Sequence, residues 1–306
     1  MALLARLMVI LPLVLSTIGL ILAALSLSAG HKEGFMEEYA LARVNVSRIG
    51  YDLIKASDTN EINNDSGGFL DIIEGLWDDA KHAIIDKLND LIGGAVDEVA
   101  DKLGISDWYS VHVMNGCEGS FQPNGTVKSA SLQTTNCSDS KAGYRLDLET
   151  IITNQLSLGP FDIKLPDLGW TDDIQANLDS LNEALLGFFV LYVLGITFCG
   201  LSILICLAAF VKPQHKKVVL SAVCISLIAA SVLVAASIIA TVMTTKGIDR
   251  MNRLTRHIGV EVQGGHKFLG LTWTSAVAIL LAFMIWGIKY LIIRKGRDTP
   301  VASAKV

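Results

Sequence analysis

Apolar positions along this chain follow two rhythms. Four stretches are apolar without interruption: Leu7–Ala29, Leu185–Val211, Val218–Met243 and Phe268–Ile293. Each exceeds the roughly 20 residues a helix needs to cross about 30 Å of hydrocarbon. Elsewhere the apolar residues recur at helical spacing. Phe69, Ile73, Leu76, Ala80, Ile84, Leu88, Ile92, Ala95, Val99 and Leu103 stand three or four apart with Asp, Glu and Lys between them. That period predicts an amphipathic helix interrupted at Gly93-Gly94. Its polar face is acidic, which disfavours docking on anionic lipid. Two placements suit it, packing within its own loop or against a neighbouring molecule.

Short alternating runs predict a strand over 108–117 and another over 144–148. The 35–54 stretch reads as helix-compatible, and the chain turns helical again from Thr171 into the second apolar run. The predicted fold is therefore an α-helical membrane protein. It is a four-transmembrane-helix bundle with a large extracellular first loop, built of an amphipathic helix and a small disulfide-tied β element. The expected boundaries are spans at 7–29, 185–211, 218–243 and 268–293. The loop domain covers 31–184, an inner turn 212–217, a second outer loop 244–267 and an inner tail 294–306. The first run, flanked by Arg6 and ending in Ser26, Ser28 and Ala29, also has the outline of a signal peptide. At 23 apolar residues it is long for one, and a retained anchor is expected.

Composition sharpens this reading. Apolar residues make up 51% of 306, charged ones 18%, and the net charge is −5. Residues 31–184 hold 27 acids and 11 bases, whereas the rest of the chain holds 3 and 14. An acidic loop domain is thus joined to a basic membrane module. A soluble enzyme is excluded, and nucleic acid, which requires a basic face, is not an expected partner. Lys212, Lys216 and Lys217, with Arg294, Lys295 and Arg297, form two basic clusters that place both termini in the cytoplasm. Against them, Lys246, Arg250, Arg253, Arg256 and Lys267 fall in the second outer loop. Four glycosylation acceptors, Asn45, Asn64, Asn124 and Asn136, all fall in 31–184 and favour an outer position for it.

Two cysteines, Cys117 and Cys137, are alone in that loop, so a single disulfide is expected. Closing it contributes about 3 kcal/mol in the chain-entropy model. His112 stands five residues before Cys117, but too few ligands accompany it for zinc. Cys199, Cys206 and Cys224 lie inside spans as small apolar residues. The only charged side chain within a span, Lys289, is expected to reach the inner surface beside Tyr290. A transport path usually carries paired polar residues inside the bilayer, so transport is disfavoured. Small residues at four-residue spacing, Ala222, Ser226 and Ala230 in the third span and Gly270, Thr274, Ala278 and Ala282 in the fourth, predict close helix packing. They serve contacts within one bundle or between molecules.

Three segments carry a resemblance. Asn45-Val-Ser-Arg-Ile-Gly50 follows the first span, then Tyr109 leads to Met114-Asn-Gly-Cys-Glu-Gly119. Cys137 then precedes Gly143-Tyr-Arg-Leu-Asp147. Together with the four-span layout, these segments resemble the claudin-like fungal SUR/PalI membrane family. Its claudin relatives place Gly-Leu-Trp just before the first cysteine. Here Gly75-Leu76-Trp77 lies some forty residues upstream and reads as accidental. The resemblance implies that Cys117 and Cys137 are the family's paired outer cysteines. It also implies plasma-membrane residence in eisosome-type domains, with effects on cell-wall organisation, endocytosis and stress response. The alternative is an accessory subunit in ambient-pH signalling of the PalI type. No enzyme activity, cofactor or metal is expected. The expected partners are membrane lipids and either further copies of the chain or other membrane-domain proteins.

Overall fold

The computed structural model describes residues 2–48, 105–123, 130–158, 170–256 and 259–298. The amphipathic stretch 69–103 and the acceptors Asn64 and Asn124 lie outside the described residues. The chain divides into two compact units.

The first unit comprises Met1–Ser28, Gly187–Thr241 and Lys267–Val306. It draws on four long helices: α1 (Ala2–Ser28), α3 (Asp172–Val211), α4 (Lys216–Val242) and α6 (His266–Asp298). All four are long and apolar enough to cross a membrane. Among the described residues, every strongly exposed large hydrophobic except Phe35 lies on these helices, Val211 and Leu204 most of all. An apolar exterior of that extent suits lipid as its solvent. The interior is held by small residues and paired hydroxyls. Ser202 Oγ lies 3.2 Å from both Ser16 Oγ and Ser226 Oγ, tying α1, α3 and α4. Ser275 Oγ donates to the Gly19 carbonyl at 2.8 Å, joining α6 to α1. With no hydrophobic drive between helices in lipid, such close contacts and shared hydrogen bonds bring them together.

The second unit comprises Ala29–Leu186 and Val242–His266. Its centre is a five-stranded antiparallel sheet of β1 (Ala42–Asn45), β2 (Trp108–Val111), β3 (Gly116–Gln122), β4 (Ser131–Cys137) and β5 (Glu261–Gly264), ordered β4-β3-β2-β1-β5. Val44 pairs with Tyr109 on one side and Val262 on the other. Among the described residues, helix α2 (Leu148–Leu158) and the short α5 (Ile248–Thr255) accompany the sheet.

Several local expectations are corrected. The described part of the 35–54 stretch, 35–48, forms a 3₁₀ turn, Glu37–Tyr39, and strand β1 rather than a helix, and 49–54 lie outside the described residues. The single strand over 108–117 is two strands, because the chain reverses at His112–Asn115, where His112 N–H donates to the Asn115 carbonyl. No strand forms at 144–148. Asp147 accepts from the Thr150 N–H and hydroxyl instead, capping α2. The described residues of the second loop, 244–256 and 259–267, carry regular structure. A π-turn, Met243–Gly247, carries α4 into α5, and β5 then joins the sheet edge.

Candidate functional site

The sheet gathers the chemistry of the second unit around the disulfide. Cys117 and Cys137 are direct cross-strand partners and form the bond, 4.0 Å apart at Cα. Next to it the register shifts at Glu118/Gly119. Glycine is required there, since a Cβ on Gly119 would stand 2.0 Å from the Gln133 carbonyl oxygen and 2.5 Å from the Trp108 ring. Trp108 is fully buried and donates its indole N–H to the Ser120 carbonyl at 3.0 Å. The Arg43 guanidinium lies over its ring at 5.5 Å.

Behind the disulfide sits a buried polar cluster. His112 Nε2 lies 3.4 Å from Glu37 Oε2 and 3.5 Å from Ser110 Oγ, and all three residues are buried. Burial alone would raise the Glu37 pKa. The His112 contact and charge, the Ser110 hydroxyl and Arg43 outweigh it and hold the carboxyl below its ordinary value. Arg43 is itself shifted down, chiefly by burial. Asn115 donates through Nδ2 to the Gly30 carbonyl, tying the turn between β2 and β3 to the turn that follows α1. Serine, histidine and glutamate suggest a hydrolytic triad, but both partners approach the same ring nitrogen. A relay needs them on opposite nitrogens, and substrate must reach the serine. Glu37, His112 and Cys117 also bring potential ligand atoms within 4.8 Å of one another. With the Cys117 sulfur bound in the disulfide, only a carboxylate and an imidazole are left, two donors short of a structural zinc site.

Two asparagines bind backbone groups bidentately. Asn182 on α3 accepts from the Leu146 N–H at 2.9 Å and donates to its carbonyl at 3.0 Å. Asn252 on α5 does the same to Val262 of β5, at 2.6 and 2.8 Å. Each side-chain amide replaces a missing strand neighbour. Sequence reasoning overlooked both, since nothing local distinguishes them from solvated polar residues on a helix. Near them an apolar cavity of about 50 Å³ is lined by side chains including Leu41, Val111, Leu178, Leu185 and Met251.

The remaining candidates are placed as follows. Asn45 is half-buried in β1 with its Oδ1 accepting from the Ser47 N–H and hydroxyl, whereas Asn136 is exposed on edge strand β4. Ala222, Ser226, Ala230, Ala278 and Ala282 are buried in the bundle, but Gly270 and Thr274 are exposed. A four-residue step drifts about 40° on a helix of 3.6 residues per turn, so a twelve-residue run leaves the face where it began. The buried row of α6 instead passes through Phe268, Thr272, Ser275, Ile279, Ala282 and Trp286. Cys199 and Cys206 are buried and Cys224 is exposed. Lys212, Lys216, Lys217, Arg294 and Lys295 are exposed, and Arg297 lies in the last turn of α6. Lys289 is corrected. It is 5% exposed, its Nζ lies 5.1 Å from the Trp286 ring centroid, and it makes no hydrogen bond. The turn of α6 points it inward instead of along the helix toward the surface.

Four membrane-length helices, and a disulfide-tied sheet completed by a strand from the second loop, define a claudin-like four-span membrane protein. The chain belongs to the SUR7/PalI family, whose model matches residues 8–285. It is similar to the SUR7 family protein pun1 of Schizosaccharomyces pombe, with 28% identity over 240 residues covering 76% of each chain. No solved structure matches it. The family is not known for enzymes.

Proposed function

We propose that the protein is a structural, non-enzymatic organiser of a fungal plasma-membrane domain of the eisosome type. In this reading both termini are cytoplasmic and the sheet unit is extracellular. The observation that carries it is how the bundle uses its polar groups. The Ser16, Ser202, Ser226 and Ser275 hydroxyls are spent on contacts between helices. That is the pattern of a packing scaffold, where a transporter aims such groups at a path. Its lipid-exposed faces and folded outer unit then provide surface for lateral and outward contacts. Contributions to cell-wall organisation, endocytosis and stress response follow from that placement.

The test is live imaging of a fluorescently tagged full-length chain in its own cells, with photobleaching. The organiser reading expects stable peripheral patches that recover slowly. Uniform, freely diffusing signal, or residence in an internal organelle, overturns it. Loss of ambient-pH response on deletion, with patches absent, would assign the protein to the PalI-type accessory role instead.

A further inference from the structure

We propose that a cleft beside the disulfide seats the first sugar of a glycan carried on Asn136. The inference rests on the extracellular placement of the sheet unit proposed above. The cleft measures about 300 Å³, at the small end of ligand sites and suited to a single ring. Its lining includes Glu118, Asn136 and Ser138 from β3, β4 and the residue after β4, together with Tyr144 and with Ile151 and Asn154 of α2. A carboxylate, carboxamides and hydroxyls thus stand beside aliphatic and aromatic surface. A pyranose presents the same division, with hydroxyls around its edge and C–H groups on its faces. Burying it demands partners for the first and apolar contact for the second. Among the described residues no lysine or arginine lines the cleft, which disfavours an anion. The single carboxylate already accepts from Asn136 Nδ2 and Ser106 Oγ, both at 3.3 Å, so it calls for no cation either.

Asn136-Cys137-Ser138 is a glycosylation acceptor, and its asparagine is also part of the cleft wall. The side-chain amide carries two hydrogens. Glycosylation replaces one of them with the bond to the sugar, and the other can keep its bond to Glu118. The frame around it is fixed. Cys137 is held in the disulfide, Ser138 N–H donates to the Gly116 carbonyl at 2.9 Å, and Ser138 Oγ accepts from the Gly116 N–H at 3.1 Å. The Tyr144 hydroxyl closes against Gly116, where a Cβ would come within 2.4 Å of it. A sugar attached to so rigid a segment reaches the cleft with little further loss of chain freedom, which favours seating over a free-swinging glycan.

The experiment uses the full-length chain from its own membranes. Glycopeptide mass spectrometry first reads occupancy at all four acceptors. The native protein in mild detergent is then treated with peptide N-glycosidase in ¹⁸O water, and release at Asn136 is followed as labelled aspartate. A seated sugar makes release about tenfold slower in the wild type than in Ile151→Ala or Asn154→Ala. Asn154 is exposed on α2, so its variant reports even where that of Ile151 fails to fold. Glycans at the other acceptors with Asn136 bare overturn the inference and leave the extracellular placement standing. No glycan at any acceptor overturns both. An occupied Asn136 released equally fast in wild type and variants shows that the cleft does not hold the sugar.

Discussion

Replacing Asn182 by leucine isolates what one side-chain amide contributes to the sheet unit. Leucine has the branched outline of asparagine in a bulkier form, so the change removes two hydrogen bonds without opening a void. Asn182 and Leu146 are 6% and 7% exposed, so water cannot readily replace the lost partners. Each orphaned buried backbone group costs about 1–3 kcal/mol. The added apolar burial returns about 1–2 kcal/mol. The expected net loss is about 2–3 kcal/mol, concentrated where Leu146 meets α3. Hydrogen exchange of the Leu146 amide reads it directly. In detergent micelles its protection should fall by about thirtyfold to a hundredfold, while amides of β3 change far less. Asn182→Asp keeps the acceptor for the Leu146 N–H but sets a carboxylate against the Leu146 carbonyl, so it should lose protection as well. If Asn182→Leu leaves Leu146 within about threefold of wild type, the bidentate contact does not hold this junction.

Three further outcomes follow from single side chains. Glu37 is ionised more readily folded than unfolded, so its stabilisation is present above its ordinary value of 4.5 and disappears as pH falls through the lower folded value. Glu37→Gln should therefore flatten the acid side of a thermal-stability profile taken below about pH 5. A wild-type profile with no such slope refutes the assignment. Lys289→Met removes a buried ammonium that has no acceptor and only the Trp286 face for compensation. A lysine at the centre of a span costs about 2.5–3.5 kcal/mol and Lys289, nearer the end of its span, costs part of that, so melting in detergent should be unchanged or raised; a clear drop would reveal an anionic partner. Gly119→Ala places a Cβ against the Gln133 backbone. It should part β3 from β4 and leave Cys117 and Cys137 open to thiol labelling, whereas wild-type labelling would show that the bulge can relax.

How much of this was legible depended on the range of the interaction. The four spans announce themselves through composition, since 20 or more apolar residues in a row have few other uses. The Cys117–Cys137 pairing was also accessible, because two isolated thiols in one loop have one way to combine. The strands were harder. Ser131–Cys137 is polar, exposed and without alternation of apolar residues, so nothing local marks it; it is a strand because β3 offers it an edge. Tyr144–Leu148 alternates well yet is not a strand, because Asp147 caps a helix and Asn182 occupies the Leu146 hydrogen-bonding groups. Glu261–Gly264 pairs with a strand more than two hundred residues earlier, a separation no local window can register. The buried Glu37–His112 contact spans 75 residues and was invisible for the same reason.

The second loop shows how a folded surface can imitate a topology signal. Its cations Arg250, Arg253 and Arg256 recur every three residues, and they compete with the inner clusters when orientation is read by counting lysine and arginine. The structure gives that spacing a local cause. Ile248, Met251 and Thr255 form the buried side of α5, and Arg250, Arg253 and Arg256 fall on its exposed side. Arg253 also stands in the last turn, where a cation complements the helix dipole. Asn252, between the two faces, holds Val262 and so fixes β5 on the sheet. Polar residues are thus required on that side of α5 whichever way the membrane is crossed, and basic ones suit its C-terminal end. The charge of this loop belongs to the helix that attaches the fifth strand, which leaves the uncommitted lysines of the 212–217 turn as the better guide to the cytoplasmic side.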